Sequence, residues 1–145
     1  MWNASGKVML GAMIAMGLLA WLIGSAVDAQ KTKGKTRPAE TKVLMKGVIQ
    51  PNCAALGAVL KDKGPGDDKA WEKAAMHAVI LNEMSYVVMD DGRCPDKEWA
   101  GAAKTLRECS AKLTEAVRAK KLPEAQEAFK GLTNACATCH KAHKQ

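Results

Sequence analysis

Aromatic residues are scarce in this sequence: one Phe and one Tyr stand beside four Trp among 145 residues. A core of packed rings is therefore disfavoured, and the apolar 48% rests mainly on Ala, Leu, Val and Met. That composition suits closely packed helices. Histidine is limited to three residues, and neither a Ser/His/Asp set nor a paired-carboxylate set is apparent, so a hydrolase has little to stand on. There is no Arg-rich run and no aromatic interleaving, and the lysines are spread over several segments, which argues against nucleic acid as a partner. No internal repeat is evident. What the chain does have is positive charge, formally +7, and this survives removal of residues 1 to 29 because Lys7 and Asp28 cancel. An acidic partner or an anionic surface is the expected counterpart.

Residues 8 to 23 are uncharged and apolar, preceded by Lys7 and followed by Gly24-Ser25, and Val27-Asp28-Ala29 places compact residues where a signal peptidase cuts. The sequence therefore predicts a signal peptide over 1–29. An uncleaved anchor is the alternative, because 8–27 gives 20 residues, enough to span a bilayer; a membrane enters only if that stretch stays uncleaved. Lys31, Lys33, Lys35 and Arg37 oppose export under the positive-inside tendency. Residues 30–38 lack an apolar anchor and read as a basic flexible tether. The folded domain is expected over 39–145.

Four helical patterns follow. The first, Glu40 to Leu60, carries Leu44, Met45, Val48, Ile49, Leu56 and Leu60, with Pro51 expected to bend it between Gly47 and Pro51. Asp67 or Asp68 is placed to cap the second, Lys69 to Met89, whose stripe is Trp71, Ala74, Ala78, Leu81, Ser85 and Val88. The third, Asp96 to Lys120, repeats it with Trp99, Ala103, Leu106, Cys109, Leu113 and Val117. The fourth starts near Pro123, where Glu124 and Glu127 suit a helix N-terminus, and Phe129, Leu132, Cys136, Cys139 and His140 make its stripe. Helices of about twenty residues, about 30 Å each, joined by short connections, predict an all-α fold: an up-down-up-down antiparallel four-helix bundle.

The chemistry lies in Cys136-Ala137-Thr138-Cys139-His140. Two cysteines spaced by two residues can form thioethers to the two haem vinyl groups while the histidine that follows ligates iron. This predicts one covalent haem c per chain, bound by Cys136, Cys139 and His140. A zinc knuckle would need a second ligand pair, yet the other cysteines and histidines are scattered singly. A thioredoxin-like redox pair opens a helix after a strand, and no strand pattern precedes this one.

With that motif on the last of four helices, residues from about Glu40 to Lys144 resemble class II cytochromes c, the cytochrome c prime family and its low-spin relatives. Lys42-Val-Leu-Met-Lys46, Leu56-Gly57 and Gly64-Pro65 add to the resemblance. It implies attachment of haem outside the cytoplasm, hence a periplasmic electron carrier rather than an enzyme, membrane-anchored if 8–27 is retained. It also implies a methionine of the first helix as sixth ligand, a position that Met45 matches. The start of an antiparallel first helix is level with the end carrying His140, so Met45 can face the haem; Met89 is the reserve. The alternative is a five-coordinate haem that binds nitric oxide or carbon monoxide, or a haem subunit of a larger complex. Lys46, Lys141 and Lys144 are expected around the haem-bearing end, to steer an acidic redox partner, and a homodimer stays open. Family members often carry an aromatic residue and then arginine after the motif; here His143 and Lys144 stand there, with His143 expected as a solvated residue of the last turn and His77 as a surface or satisfied core histidine. Of the remaining thiols, Cys94 and Cys109 are about 20 Å apart along one helix, so any disulfide must include Cys53, and Cys53 matches Cys109 in height; small buried thiols are the favoured state.

Overall fold

The computed structural model describes residues 33–143, and these are all-helical, with no strand among the described residues. Four helical rods account for the fold. The first consists of α1 (Thr41–Leu44), a π-helical turn (Met45–Ile49) and α2 (Gln50–Val59); the others are α3 (Asp68–Val87), α4 (Lys97–Arg118) and α5 (Leu122–His143). The apolar stretch 8–27, the cleavage site and Lys144 lie outside the described residues. No helix among the described residues is long and apolar enough to cross a membrane.

Local chemistry sets the helix ends. Asp67 caps α3 by accepting from the Ala70 amide at 2.7 Å, and Asp96 caps α4 by accepting from Trp99 at 2.9 Å, each meeting one donor that the first helical turn leaves unpaired. Asp62 and Gly64 (φ 52° and 72°) turn the chain after α2, and Asp91 and Gly92 (φ 59° and 77°) turn it after α3. Gly64 is required by space as well, since a Cβ there would stand 2.6 Å from Leu122 Cδ1.

The expected bend near Pro51 takes the form of the π turn. Proline has no N–H to donate, and its ring collides with the carbonyl four residues back, here that of Gly47. A wider turn through Met45–Ile49 moves that carbonyl aside without ending the rod.

The best-buried packing joins α3 to α4 and α4 to α5. Ala74, Ala78, Leu81 and Ser85 of α3 and Ser110, Leu113 and Val117 of α4 are fully buried, as are Ala125 and Leu132 of α5. Small residues let the rods approach closely, and polar groups lock them. Asn82 Nδ2 donates to the Arg107 carbonyl at 2.8 Å and to Ser110 Oγ at 3.0 Å, and Trp99 Nε1 donates to the Val88 carbonyl at 2.8 Å. Across these pairs the numbers rise on α3 as they fall on α4.

The segment expected as a flexible tether is tied down where it is described. The Lys35 amide donates to the Asp91 carbonyl at 2.9 Å, and the Thr36 and Arg37 amides donate to the Asp91 carboxylate at 2.9 and 3.0 Å.

Candidate functional site

The first rod meets α5 at two contacts in one register. Gln126 Nε2 donates to the Leu60 carbonyl at 2.8 Å, and Gly57 lies where a Cβ would be 3.4 Å from Phe129 Cζ. Further along the same two helices, Cys53 and Cys136 are close enough for each to shift the other's pKa. Each step back along α2 is a step forward along α5. Phe129, Cys136 and His140, spaced by seven and four, thus share the side of α5 that faces the first rod.

The cysteine pair has unequal surroundings. The neighbouring Cys136 thiol lowers the Cys53 pKa to about 7 against the opposing effect of burial. Cys53 in turn raises the pKa of Cys136, and burial adds to the rise. Cys139 is raised to about 11, first by burial and then by the negative charge of Asp96. Cys136 therefore faces α2, whereas Cys139 faces the start of α4.

His140 is exposed on the same helix. Met45 is half-buried on the π turn and packs against the core, and Met89 is half-buried just past α3. In the register of the Leu60–Gln126 and Gly57–Phe129 contacts, Lys46 of the first rod comes about level with His140, and Met45 is its neighbour.

His143 is not the solvated residue expected. Its side chain is 12% exposed, and its ring meets Trp99 edge to face, with centroids 5.4 Å apart. The cause is the overlap of the last turn of α5 with the first turn of α4, where Trp99 forms an apolar wall. His143 Nε2 is 3.4 Å from Asp96 Oδ1 but lacks hydrogen-bond alignment. His77, expected as surface or satisfied, has Nδ1 2.7 Å from Asn52 Oδ1. Because Asn52 spends its amide group on the Val48 carbonyl, Nδ1 is assigned as the donor. Burial, then the charge of Lys73, lowers the His77 pKa and favours that neutral tautomer.

The thiols pair differently from the height match. Cys53 meets Cys136 rather than Cys109, whose Sγ would be 2.7 Å from a Cβ on Gly131 of α5. Cys94 donates to the Asp96 carbonyl at 3.3 Å. Arg93, in the turn between α3 and α4, is 1% exposed and leaves Nε and Nη1 without partners. Nothing in a single sequence marks such a burial. It lies beside Asp91, whose carboxyl is pushed up by burial yet ends below its ordinary pKa through hydrogen bonds from Thr36 and Arg37 and the charge of Arg93.

The donor set fits haem: two thiols and an imidazole within five residues of one helix, and a thioether on the facing rod. Among the described residues no three His, Cys, Asp or Glu side chains gather around a point fit for a bare metal ion. A groove of about 570 Å³ lined by Trp71, Met76, Ile80 and Val117 lies at the other end of the rods, remote from Cys136. No protein-family model, curated protein or solved structure matches the chain.

Proposed function

We propose that this chain is an exported monohaem c-type cytochrome and an electron carrier, built as an up-down-up-down antiparallel four-helix bundle with the resemblance to class II cytochromes c described above. The observation that carries the reading is the Cys136–His140 motif at the end of the last of four rods, on the side where α5 meets the first rod through half-buried side chains. Cys136 and Cys139 would hold the haem covalently, and His140 would ligate its iron. Haem, when bound, supplies one-electron exchange. The half-buried Val48, Cys53 and Phe129 give an apolar lining that lowers the dielectric around such a group and limits water. Met45 is the proposed sixth ligand. Residues 1–29 are proposed as the signal peptide or, with 8–27 retained, an anchor, which places the domain in the periplasm.

The alternative is a five-coordinate haem open to nitric oxide or carbon monoxide. The same spectra decide between them. Acid–acetone extraction should leave haem on the polypeptide, and quantitative release rejects the motif reading. A low-spin ferric spectrum with a weak far-red sulfur-to-iron band that Met45→Ala abolishes supports the carrier. A high-spin spectrum with rapid carbon monoxide binding supports the gas-binding reading, because no held thioether then competes for the position. Lys46 and Lys141 are exposed on the two rods concerned, and with Lys144 they are proposed to steer an acidic redox partner. Its association rate should fall steeply with added salt.

A further inference from the structure

We propose that residues 33–43 form a docking face for an anionic lipid bilayer, which holds the bundle with its α3–α4 turn and the start of the first rod toward the membrane; this rests on the reading in which 8–27 is retained as an anchor. The strap 33–40 is closed on itself by the backbone bridge between Lys33 and Glu40, so Lys33 stands beside the start of α1. Four hydrogen bonds of 2.9 to 3.0 Å fix it to the α3–α4 turn: the Lys35 amide donates to the Asp91 carbonyl, and the Thr36 amide, Thr36 Oγ1 and the Arg37 amide donate to the Asp91 carboxylate. Asp90 is engaged as well, 3.4 Å from Arg37 Nη2. The acids of the turn are thus spent on the strap itself. Lys33, Lys35 and Lys42 stay exposed and form no salt bridge among the described residues. Beside Lys42, Val43 is 58% exposed, the most exposed large hydrophobic residue described.

Basic charge alone would also suit an acidic protein, and the chain ahead of the strap selects the bilayer. Residues 8–27 are uncharged, apolar and long enough to span one, and only residues 28–32 separate them from Lys33. Fully extended, that link reaches about 20 Å, and as a coil about 12 Å. With 8–27 in a bilayer, Lys33 is therefore held close to the headgroups, where anionic lipid attracts lysine over a screening length of about 10 Å. Anchor and face belong to one chain, so docking is an intramolecular step that a weak attraction suffices to drive. The ammonium groups would meet lipid phosphates while Val43 enters the apolar boundary beneath them. A free tether would let the bundle tumble, whereas the bonds to Asp91 pass the position of Lys33 on to α3 and α4. The start of α4 overlaps the last turn of α5, so Cys139 and His143 come to the membrane side too. What that means for electron exchange rests on the haem reading; the docking does not.

The test uses the full-length chain reconstituted in vesicles of phosphatidylcholine, alone or mixed with phosphatidylglycerol. Lysines are acetylated with an N-hydroxysuccinimide ester and mapped by mass spectrometry. Lys33, Lys35 and Lys42 should react at least about fivefold more slowly on the mixed vesicles, and high salt should remove the difference. The exposed Lys61 and Lys63, beyond the other end of α2, should react alike on both. Lys35→Glu combined with Val43→Ser, both at exposed positions, should abolish the shielding of Lys42, with circular dichroism confirming that the variant stays helical. Asp91→Asn releases the strap, so Lys33 should stay shielded while Lys42 becomes as reactive as on phosphatidylcholine; Lys42 still shielded there overturns the part given to the strap. Equal reactivity on the two vesicles, in a chain that a carbonate wash leaves in both, overturns the docking and leaves the anchor standing. Release of the chain by carbonate rejects the retained anchor, and the proposal with it. Shielding of the same lysines by soluble polyglutamate on phosphatidylcholine vesicles assigns the face to an acidic protein and overturns the bilayer as its occupant.

Discussion

Along α3 and α4, fully buried Ala74, Ala78 and Leu81 face Ser110, Leu113 and Val117, and Asn82 and Trp99 stitch the rods with three hydrogen bonds. Along α2 and α5, the meeting residues are half-buried Cys53, Phe129 and Cys136, with one hydrogen bond from Gln126 at the far end. The first seam spends its surface on stability, and the second keeps chemistry within reach. Protein interiors are close-packed, so a seam of half-buried thiols and a bulky ring is where a large planar group enters at least cost.

The largest expected effect lies in the tight seam. Leu81→Ala should destabilise the protein by about 2–5 kcal/mol, since a fully buried leucine leaves a cavity, whereas Val48→Ala, half-buried beside the open seam, should cost about 1 kcal/mol. Urea unfolding of the two variants checks this, and equal losses would break the contrast. Next comes Asn82→Ala, expected to cost about 0.5–1.5 kcal/mol because the bonds from its amide to Arg107 and Ser110 are lost while Ser110 Oγ still donates to the Arg107 carbonyl. An unchanged urea midpoint would mean that the Asn82 bonds add nothing to the hold of α3 on α4. Asp67→Ala removes the cap of α3 and should cost about 0.5–2 kcal/mol, read as a lower thermal midpoint.

The smallest effect sharpens the comparison at its margin. The pKa of Asp91 is depressed in the folded protein, so what it contributes is present above its unfolded value and is lost as pH falls through the lower folded one. Amide exchange at Thr36 and Arg37 should therefore accelerate at acid pH. Asp91→Asn should leave these amides fast at neutral pH and flatten the dependence; protection unchanged in that variant would place the anchor elsewhere.

Much of the tight seam was legible in the sequence. Ala74, Ala78, Leu81, Ser85, Leu106, Leu113 and Val117 recur at spacings of three and four and are buried as that spacing predicts. Helix lengths followed from the caps and turns. The open seam was less legible, for physical reasons. Periodicity gives the height of a residue along a rod but not its azimuth between two neighbours, so Cys53 and Cys109 matched in height while facing different partners. The seat of His143 against Trp99 and the burial of Arg93 depend on how helix ends overlap, which one sequence does not encode locally. The residues proposed to bind haem, Cys136, Cys139 and His140, stand out by chemistry rather than by burial, and the proposal rests on that chemistry.

The π turn at Met45–Ile49 also makes the chain unusually tolerant of a change in length at one place. Each residue of an α-helix turns the chain by about 100°, whereas a π turn carries more residues per turn and so absorbs one residue with little change in the direction that its flanks face. Losing the exposed Gly47, which has open space around it, would let the rod relax to a regular helix with Met45 and α2 on nearly their present sides. An insertion into a regular stretch of the same rod has no such slack, and would swing everything before it by about that angle.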